Sequence, residues 1–207
     1  MFNWSKEKKR IRAYGEVGYP GEGFTHQDFM EALDDIGGDD ITIELQSVGG
    51  DVYSGLSIKN QIADYPGHVT VKIDAMAASI ASVFPLAADR IIAAPGSTLM
   101  VHNPWTIVMG DAGELREVAD VLDKLGGSIA EIYAERTGRK KDFWIKRMAA
   151  TTYYNVEEAL ADGLIDEIAG GAKVAASIPV DAARPRMAAL SATLAKVRHL
   201  DRIHRNA

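Results

Sequence analysis

The chain has no cysteine. This excludes a disulfide framework, a thiolate nucleophile and metal sites built on thiolates, so covalent catalysis would have to use oxygen or nitrogen. Long apolar runs are also missing. The most apolar stretch, residues 75–88, is shorter than the roughly 20 residues a membrane-spanning helix needs, contains Ser79, Ser82 and Pro85, and is bounded by Asp74 and Asp89. It reads as buried core, and no membrane association is expected. The segment Met1-Phe-Asn-Trp-Ser-Lys-Glu-Lys-Lys-Arg10 is charged with no apolar run behind it, which is not a secretory signal, and a cytoplasmic protein is expected. The histidines His26, His68, His102, His199 and His204 lack metal-ligand spacing. The glycine turn Gly49-Gly50 lacks both the third glycine of a dinucleotide fingerprint and the lysine of a phosphate-binding loop. Neither a metal nor another cofactor is expected.

Positive charge is scarce except at one end. Residues 172–207 hold seven Lys/Arg against two Asp, so the overall charge of −6 leaves −11 on the first 171 residues. Nucleic acid is no natural partner for that body. The 207 residues, 47% of them hydrophobic, suit one domain with an appendage. The boundary is expected at Gly170-Gly171, giving a domain over 1–170 and an Ala-rich, basic tail over 171–207. Within the tail, Met187, Leu190, Leu194 and Val197 form one side of an amphipathic helix suited to docking on a partner.

Within the body the hydrophobic period alternates between two and 3.6 residues. Residues 11–17 read as a strand, and Thr25 as the N-cap of a helix whose apolar face is Phe29, Leu33 and Ile36. Strand 41–45 runs through the glycine turn into helix 52–65, followed by strand 68–73, a buried small-residue helix over 77–88, and strands 90–93 and 98–101. A long helix over 112–137 carries Leu115, Val118, Leu122, Leu125, Ile129 and Ile132 on one stripe, with Gly126-Gly127 as a place to bend. Helices 141–149 and 156–162 follow. Strands alternating with helices predict an α/β fold with right-handed βαβ crossovers and a mainly parallel sheet.

Three features point to acyl transfer. Ser79 lies among very small residues, just after a strand and at a helix start, where first-turn amides can face a developing oxyanion. His102 ends a strand, where a base can be held rigidly. Gly49-Gly50 lets backbone N–H groups approach a carbonyl oxygen closely. Each also has a bland reading: Ser79 and Ser82 as caps of a buried helix, His102 as a hydrogen-bonded core residue, and the glycines as a tight turn.

In this order and spacing, Gln46-Ser-Val-Gly-Gly50, Ala77-Ala-Ser-Ile80 and Met100-Val-His-Asn-Pro104 resemble the ClpP family of serine peptidases. Thr137-Gly138 and Glu157-Glu-Ala-Leu-Ala-Asp-Gly-Leu-Ile-Asp166 extend the likeness over residues 10–168. The resemblance implies a ClpP/crotonase-like spiral of βαβ units with a protruding long helix. It implies a serine endopeptidase in which Ser79 attacks the peptide carbonyl, His102 is the general base, and the N–H groups of Gly50 and Ile80 form the oxyanion hole. It further implies polypeptide substrates, a homo-oligomeric ring or stacked rings, and an ATP-dependent unfoldase or phage capsid or scaffold proteins as partners. Two departures stand out. A gapless count from His102 puts Thr151, which cannot carry a negative charge, at the position of the family's acidic triad residue, with Asn155 and Asp142 nearby in sequence as substitutes. Val48 stands where the family usually has proline, a variation closer to the phage and prophage ClpP-like proteases of capsid maturation. The competing readings are an inactive structural ring subunit and a crotonase-like acyl-CoA enzyme.

Overall fold

The computed structural model describes residues 1–171; the expected tail helix lies outside them. The chain opens with β1 (Phe2–Ser5), antiparallel to β2 (Arg10–Tyr14) in the register Phe2↔Ala13 to Ser5↔Arg10. The charged start thus carries a strand that apolar periodicity does not reveal, because only Phe2 faces the core, against Phe24 and Phe29. The expected strand over 11–17 is broken at Gly15. Its second part, β3 (Glu16–Val17), pairs instead with β4 (Gly23–Phe24) in a small parallel sheet.

Helix α1 (His26–Ile36) starts as its sequence dictates. Thr25 Oγ1 accepts from Asp28 N–H at 3.2 Å, and the Asp28 carboxylate accepts from Thr25 N–H at 2.7 Å, so two otherwise orphaned donors are satisfied at once. The strands β5 (Ile41–Ser47) and β6 (Val69–Ala78) flank α2 (Val52–Asp64), and β2, β5 and β6 run parallel side by side.

The ten-residue β6 is where the sheet divides. Its first half, through Thr70 to Ile73, pairs with β7 (Arg90–Ala93); its last residues, Met76 to Ala78, pair with β8 (Thr98–Val101). This branching makes the step of the spiral. It also corrects the helix expected over 77–88. Ala77 and Ala78 stay extended because Ser47 and the β8 strand hold them as ladder partners, and only two short 3₁₀ turns follow, Ser79–Ser82 and Phe84–Ala87, the second entered through Pro85. Alanine's helical propensity is overridden by tertiary pairing.

Helix α3 (Ala112–Thr137) runs unbroken through Gly126-Gly127 and is ~39 Å long at 1.5 Å per residue. Its buried residues are Ile129, Ala130, Ile132 and Tyr133, so only its last third is anchored in the core. There Tyr133 stacks on the fully buried Trp144 of α4 (Lys141–Ala149), with ring centroids 4.8 Å apart. β9 (Thr152–Tyr154) then pairs antiparallel with β8, α5 (Val156–Ala161) follows, and β10 (Glu167–Ile168) closes the sheet beside β7. No helix among the described residues is long and apolar enough to cross a membrane. The fold is α/β, with the parallel strands and protruding helix expected from the sequence.

Candidate active site

Three adjacent parallel strands, β5, β6 and β8, end on the same side of the sheet, and each delivers one part of the site at its carboxyl end, where open α/β folds place their ligands. From β6 comes Ser79, half-buried, with φ of 56°. A non-glycine residue in left-handed backbone is uncommon, and here it turns the chain sharply from strand into 3₁₀ helix, lifting the side chain out of the ladder. From β8 comes His102, whose Nε2 lies 2.7 Å from Ser79 Oγ. Partial burial pushes the imidazole below its ordinary pKa, so at neutral pH the ring is uncharged and Nε2 can accept the serine proton.

From β5 comes the glycine turn, and its composition follows from its neighbours. A Cβ on Gly49, which has φ of 98°, would lie 2.6 Å from Ser79 Cβ and 2.8 Å from the carbonyl oxygen of Ala78; one on Gly50 would lie 2.2 Å from the carbonyl oxygen of Val17. Only glycine fits either place. Strand β3 clamps the turn from the other side: Val17 N–H donates to Gly49 O, and Asp51 N–H donates to Val17 O, both at 2.8 Å. Because the Gly49 oxygen is tied to Val17, the N–H of Gly50 on the same peptide is turned the opposite way. The Ser79 and Ile80 amides, in the first turn of their 3₁₀ helix, have no acceptor within it.

The remaining site candidate is Thr151. The β8–β9 ladder pairs Leu99↔Tyr154, Met100↔Tyr153 and Val101↔Thr152, and the next step of that register sets Thr151 opposite His102. Pairing stops there, because Thr151 has φ of 50° and its N–H bonds to Met148 O at 3.1 Å. The structure thus brings Ser79, His102, Gly50 and Ile80 together and sets Thr151 across from the histidine without a hydrogen bond to it. Nδ1 of His102 has no hydrogen-bond partner among the described residues, and burial lowers the pKa of the ring. Of the two other side chains considered for this place, Asn155 caps α5 by accepting from Glu158 N–H at 2.8 Å, and Asp142 is exposed in the first turn of α4. Among the described residues no group of three or more His, Cys, Asp or Glu side chains could hold a metal ion.

Two residues tied to the site are not recognisable from sequence, Ser82 by direct contact and Tyr133 only through Ser82. Ser82 is visible as a polar residue in an apolar run, but its only reading from sequence is as a cap of a buried helix. Tyr133 lies on the long helix beside the apolar stripe, more than fifty positions away, and nothing in the sequence sets it apart. The Ser82 hydroxyl contacts the Ser79 carbonyl, the Met100 carbonyl and the Tyr133 hydroxyl.

Comparison with known proteins gives one consistent likeness. Residues 27–172 match the model of the Clp protease family. The chain is 33% identical over 135 residues to the ATP-dependent Clp protease proteolytic subunit 1 of Protochlamydia amoebophila, an alignment covering 63% of this chain and 66% of that protein. It is 29% identical over 143 residues to the ATP-dependent Clp protease proteolytic subunit of Bacteroides fragilis, covering 64% and 68%. The chain therefore spans about two thirds of the length of these curated relatives. A solved structure of a ClpP1 mutant from Listeria monocytogenes superposes with a TM-score of 0.70 at 26% identity, covering 79% of this chain and 92% of that one.

Proposed function

Because this chain belongs to the Clp protease family, we propose that it is a serine endopeptidase acting on polypeptides through an acyl-enzyme on Ser79. The reading rests on the 2.7 Å approach of His102 Nε2 to Ser79 Oγ, held by two strands beside a glycine turn that no larger residue can occupy. In acylation, Ser79 Oγ attacks the peptide carbonyl as its proton passes to His102 Nε2. The carbonyl oxygen, now negative, is received by Gly50 and Ile80 N–H. The C–N bond then breaks as the imidazolium returns its proton to the leaving amine, and water repeats the sequence to release the acid.

We take Thr151 to occupy the place of the triad's acid. A hydroxyl can accept from the imidazole N–H and fix the tautomer, but it stabilises the imidazolium less than a carboxylate does. A mis-set tautomer at this position costs about 10⁴-fold in serine proteases; a hydroxyl that sets it correctly forfeits only the charge, so the peptidase is inferred to be slowed by less than that. The working form is proposed to be a homo-oligomeric ring, since the extended surface of α3 and the segment before it expose Leu115, Val121, Trp105, Ile107 and Met109. An ATP-dependent unfoldase or phage capsid and scaffold proteins remain the proposed partners, in a cytoplasmic setting.

A fluorophosphonate probe added to the intact protein, followed by mass mapping, tests the chemistry. A stoichiometric adduct on Ser79, absent from Ser79→Ala, is expected; a folded protein without the adduct overturns the reading. The second reading, an inactive ring subunit, is favoured by the partnerless Nδ1 of His102 among the described residues and predicts that no adduct forms.

A further inference from the structure

The candidate oxyanion donor Ile80 N–H belongs to the same peptide unit as the carbonyl of Ser79. A trans peptide is planar, with its N–H and C=O on opposite sides, so whatever holds the oxygen aims the hydrogen. For Gly50 that role falls to Val17, through backbone alone. For Ile80 the 3₁₀ turn supplies one backbone donor, Ser82 N–H to the Ser79 oxygen, and side chains supply the rest. Ser82 Oγ lies 2.6 Å from the Ser79 oxygen, 3.1 Å from the Met100 oxygen and 2.6 Å from the hydroxyl of Tyr133. A serine hydroxyl has one hydrogen, so it serves one carbonyl at a time, and the shorter contact assigns it to Ser79. Tyr133, whose own hydroxyl meets no other partner among the described residues, then donates to Ser82 Oγ.

Each member of this chain is held in place. Tyr133 is buried in the anchored third of α3 and stacked on Trp144. Ser82 is buried too. Ser79, by contrast, sits at φ of 56°, a conformation that a non-glycine residue keeps only when its surroundings over-determine it.

We propose that Ser82 and Tyr133 are positioning residues for the oxyanion site: Tyr133 donates to Ser82, Ser82 donates to the Ser79 carbonyl, and the pinned peptide presents Ile80 N–H to the developing oxyanion. The proposal deepens the serine peptidase reading and rests on it. The same hydroxyl also touches the strand that carries His102, two residues upstream, so one buried polar group meets both catalytic segments. Burial raises the Tyr133 phenol far above its ordinary range, which keeps it a donor at every working pH.

The test compares Ser82→Ala, Tyr133→Phe and their double variant in the full chain, reading kcat and KM on a fluorogenic peptide, the pH profile of kcat, the rate of fluorophosphonate labelling at Ser79, and Tm. Tyr133→Phe keeps the ring on Trp144 and removes one oxygen, so it guards against a failure to fold. Removal of a whole oxyanion donor costs about 10²–10³ in kcat, and a misaimed one less. Ser82→Ala is therefore expected to lower kcat and labelling by about ten- to a hundredfold, with KM within about twofold and the midpoint of the pH profile unmoved. Tyr133→Phe should lose less, and the double variant no more than Ser82→Ala alone, since the two act in series. Lowered Tm with unchanged kcat, or losses that multiply, overturns the positioning role while leaving Ser79 as nucleophile. A folded wild-type chain that neither hydrolyses the peptide nor takes the label overturns the serine reading, and the positioning role falls with it.

Discussion

Gly49 and Ser79 approach so closely that a Cβ on Gly49 would lie 2.6 Å from Ser79 Cβ and 3.2 Å from Ser79 Oγ. The turn after β5 and the elbow after β6 thus leave room for each other only because one of them has no side chain. Gly49→Ala should push the serine off its histidine and impose a φ of 98° on a residue that rarely adopts it. We expect labelling of Ser79 to fall by at least a hundredfold in a protein destabilised by about 1–3 kcal/mol, the usual cost of overpacking. Unchanged labelling of a folded variant would mean the two segments move independently.

The backbone of Ser79 itself predicts a difference between two inactive variants. Ser79→Ala and Ser79→Gly both remove the hydroxyl, and both should abolish hydrolysis. Alanine keeps the unfavourable φ of 56°, whereas glycine adopts it freely but loses more chain entropy on folding. Left-handed backbone costs about 1–2 kcal/mol in a residue with Cβ, against about 0.5–1 kcal/mol for glycine's entropy. Ser79→Gly should therefore be the more stable of the pair in urea denaturation, by up to about 1.5 kcal/mol. The reverse order would show that the elbow is not strained.

His102 gives a pH dependence with a definite sign. Burial lowers its pKa below the ordinary 6.5, so the neutral ring needed to accept the serine proton persists into mildly acidic solution. The rise of kcat/KM with pH should have its midpoint below 6.5. For stability the unfolded chain binds the proton first as pH falls through 6.5, so the contribution of this group is fully present above 6.5 and diminishes down to the folded pKa. A rate midpoint above 6.5 would indicate a carboxylate near the ring that these residues do not supply.

Much of this site was legible in the sequence because its parts sit at element boundaries, where composition changes abruptly. Ser79, His102 and Gly49-Gly50 each end a run of strand-forming residues, and their order along the chain carried the family likeness. The helix over 77–88 was misread for a physical reason. Alanine favours a helix locally, and nothing local records that Ala77 faces Ser47 on one side and Leu99 on the other. Ser82 and Tyr133 stayed out of sight as a pair for the same reason, since their hydrogen bond joins positions 51 residues apart. The strand β1 was missed because its single core contact, Phe2, leaves no alternation to detect.

The exposed apolar residues on and before α3 bear on assembly. Ile107 and Met109 are 86% and 96% exposed, and Leu115 and Val121 more than 40%. Such a run beside a helix anchored only at its far end suits burial against another copy of the chain. The protein should therefore sediment as a ring-sized oligomer, and Ile107→Asp with Val121→Asp should shift it to smaller species while the 2.7 Å Ser79–His102 pair remains formed within each chain. A well-behaved wild-type monomer at micromolar concentration contradicts the ring.

Thr151 offers a variant expected to improve on the natural chain. The β8–β9 register sets it opposite His102, and its φ of 50° suits aspartate or asparagine better than a β-branched residue. Thr151→Asp should therefore do two separable things. It should relieve the backbone, which Thr151→Asn would do equally, and it should bring a negative charge to the imidazole, which Thr151→Asn would not. The carboxylate stabilises the imidazolium formed during attack, so kcat should rise by about tenfold or more, with KM little changed, because the added charge interacts more strongly with the transition state than with bound substrate. The same charge should raise the pKa of His102, moving the midpoint of the rate profile upward from its position below 6.5. Steady-state kinetics of the three proteins across pH separates the effects: a rise in kcat and midpoint confined to Thr151→Asp identifies the vacant acid position. Lost activity in a folded Thr151→Asp, with Thr151→Asn unaffected, would instead place the group that orients His102 elsewhere, with a neighbouring subunit the next place to look.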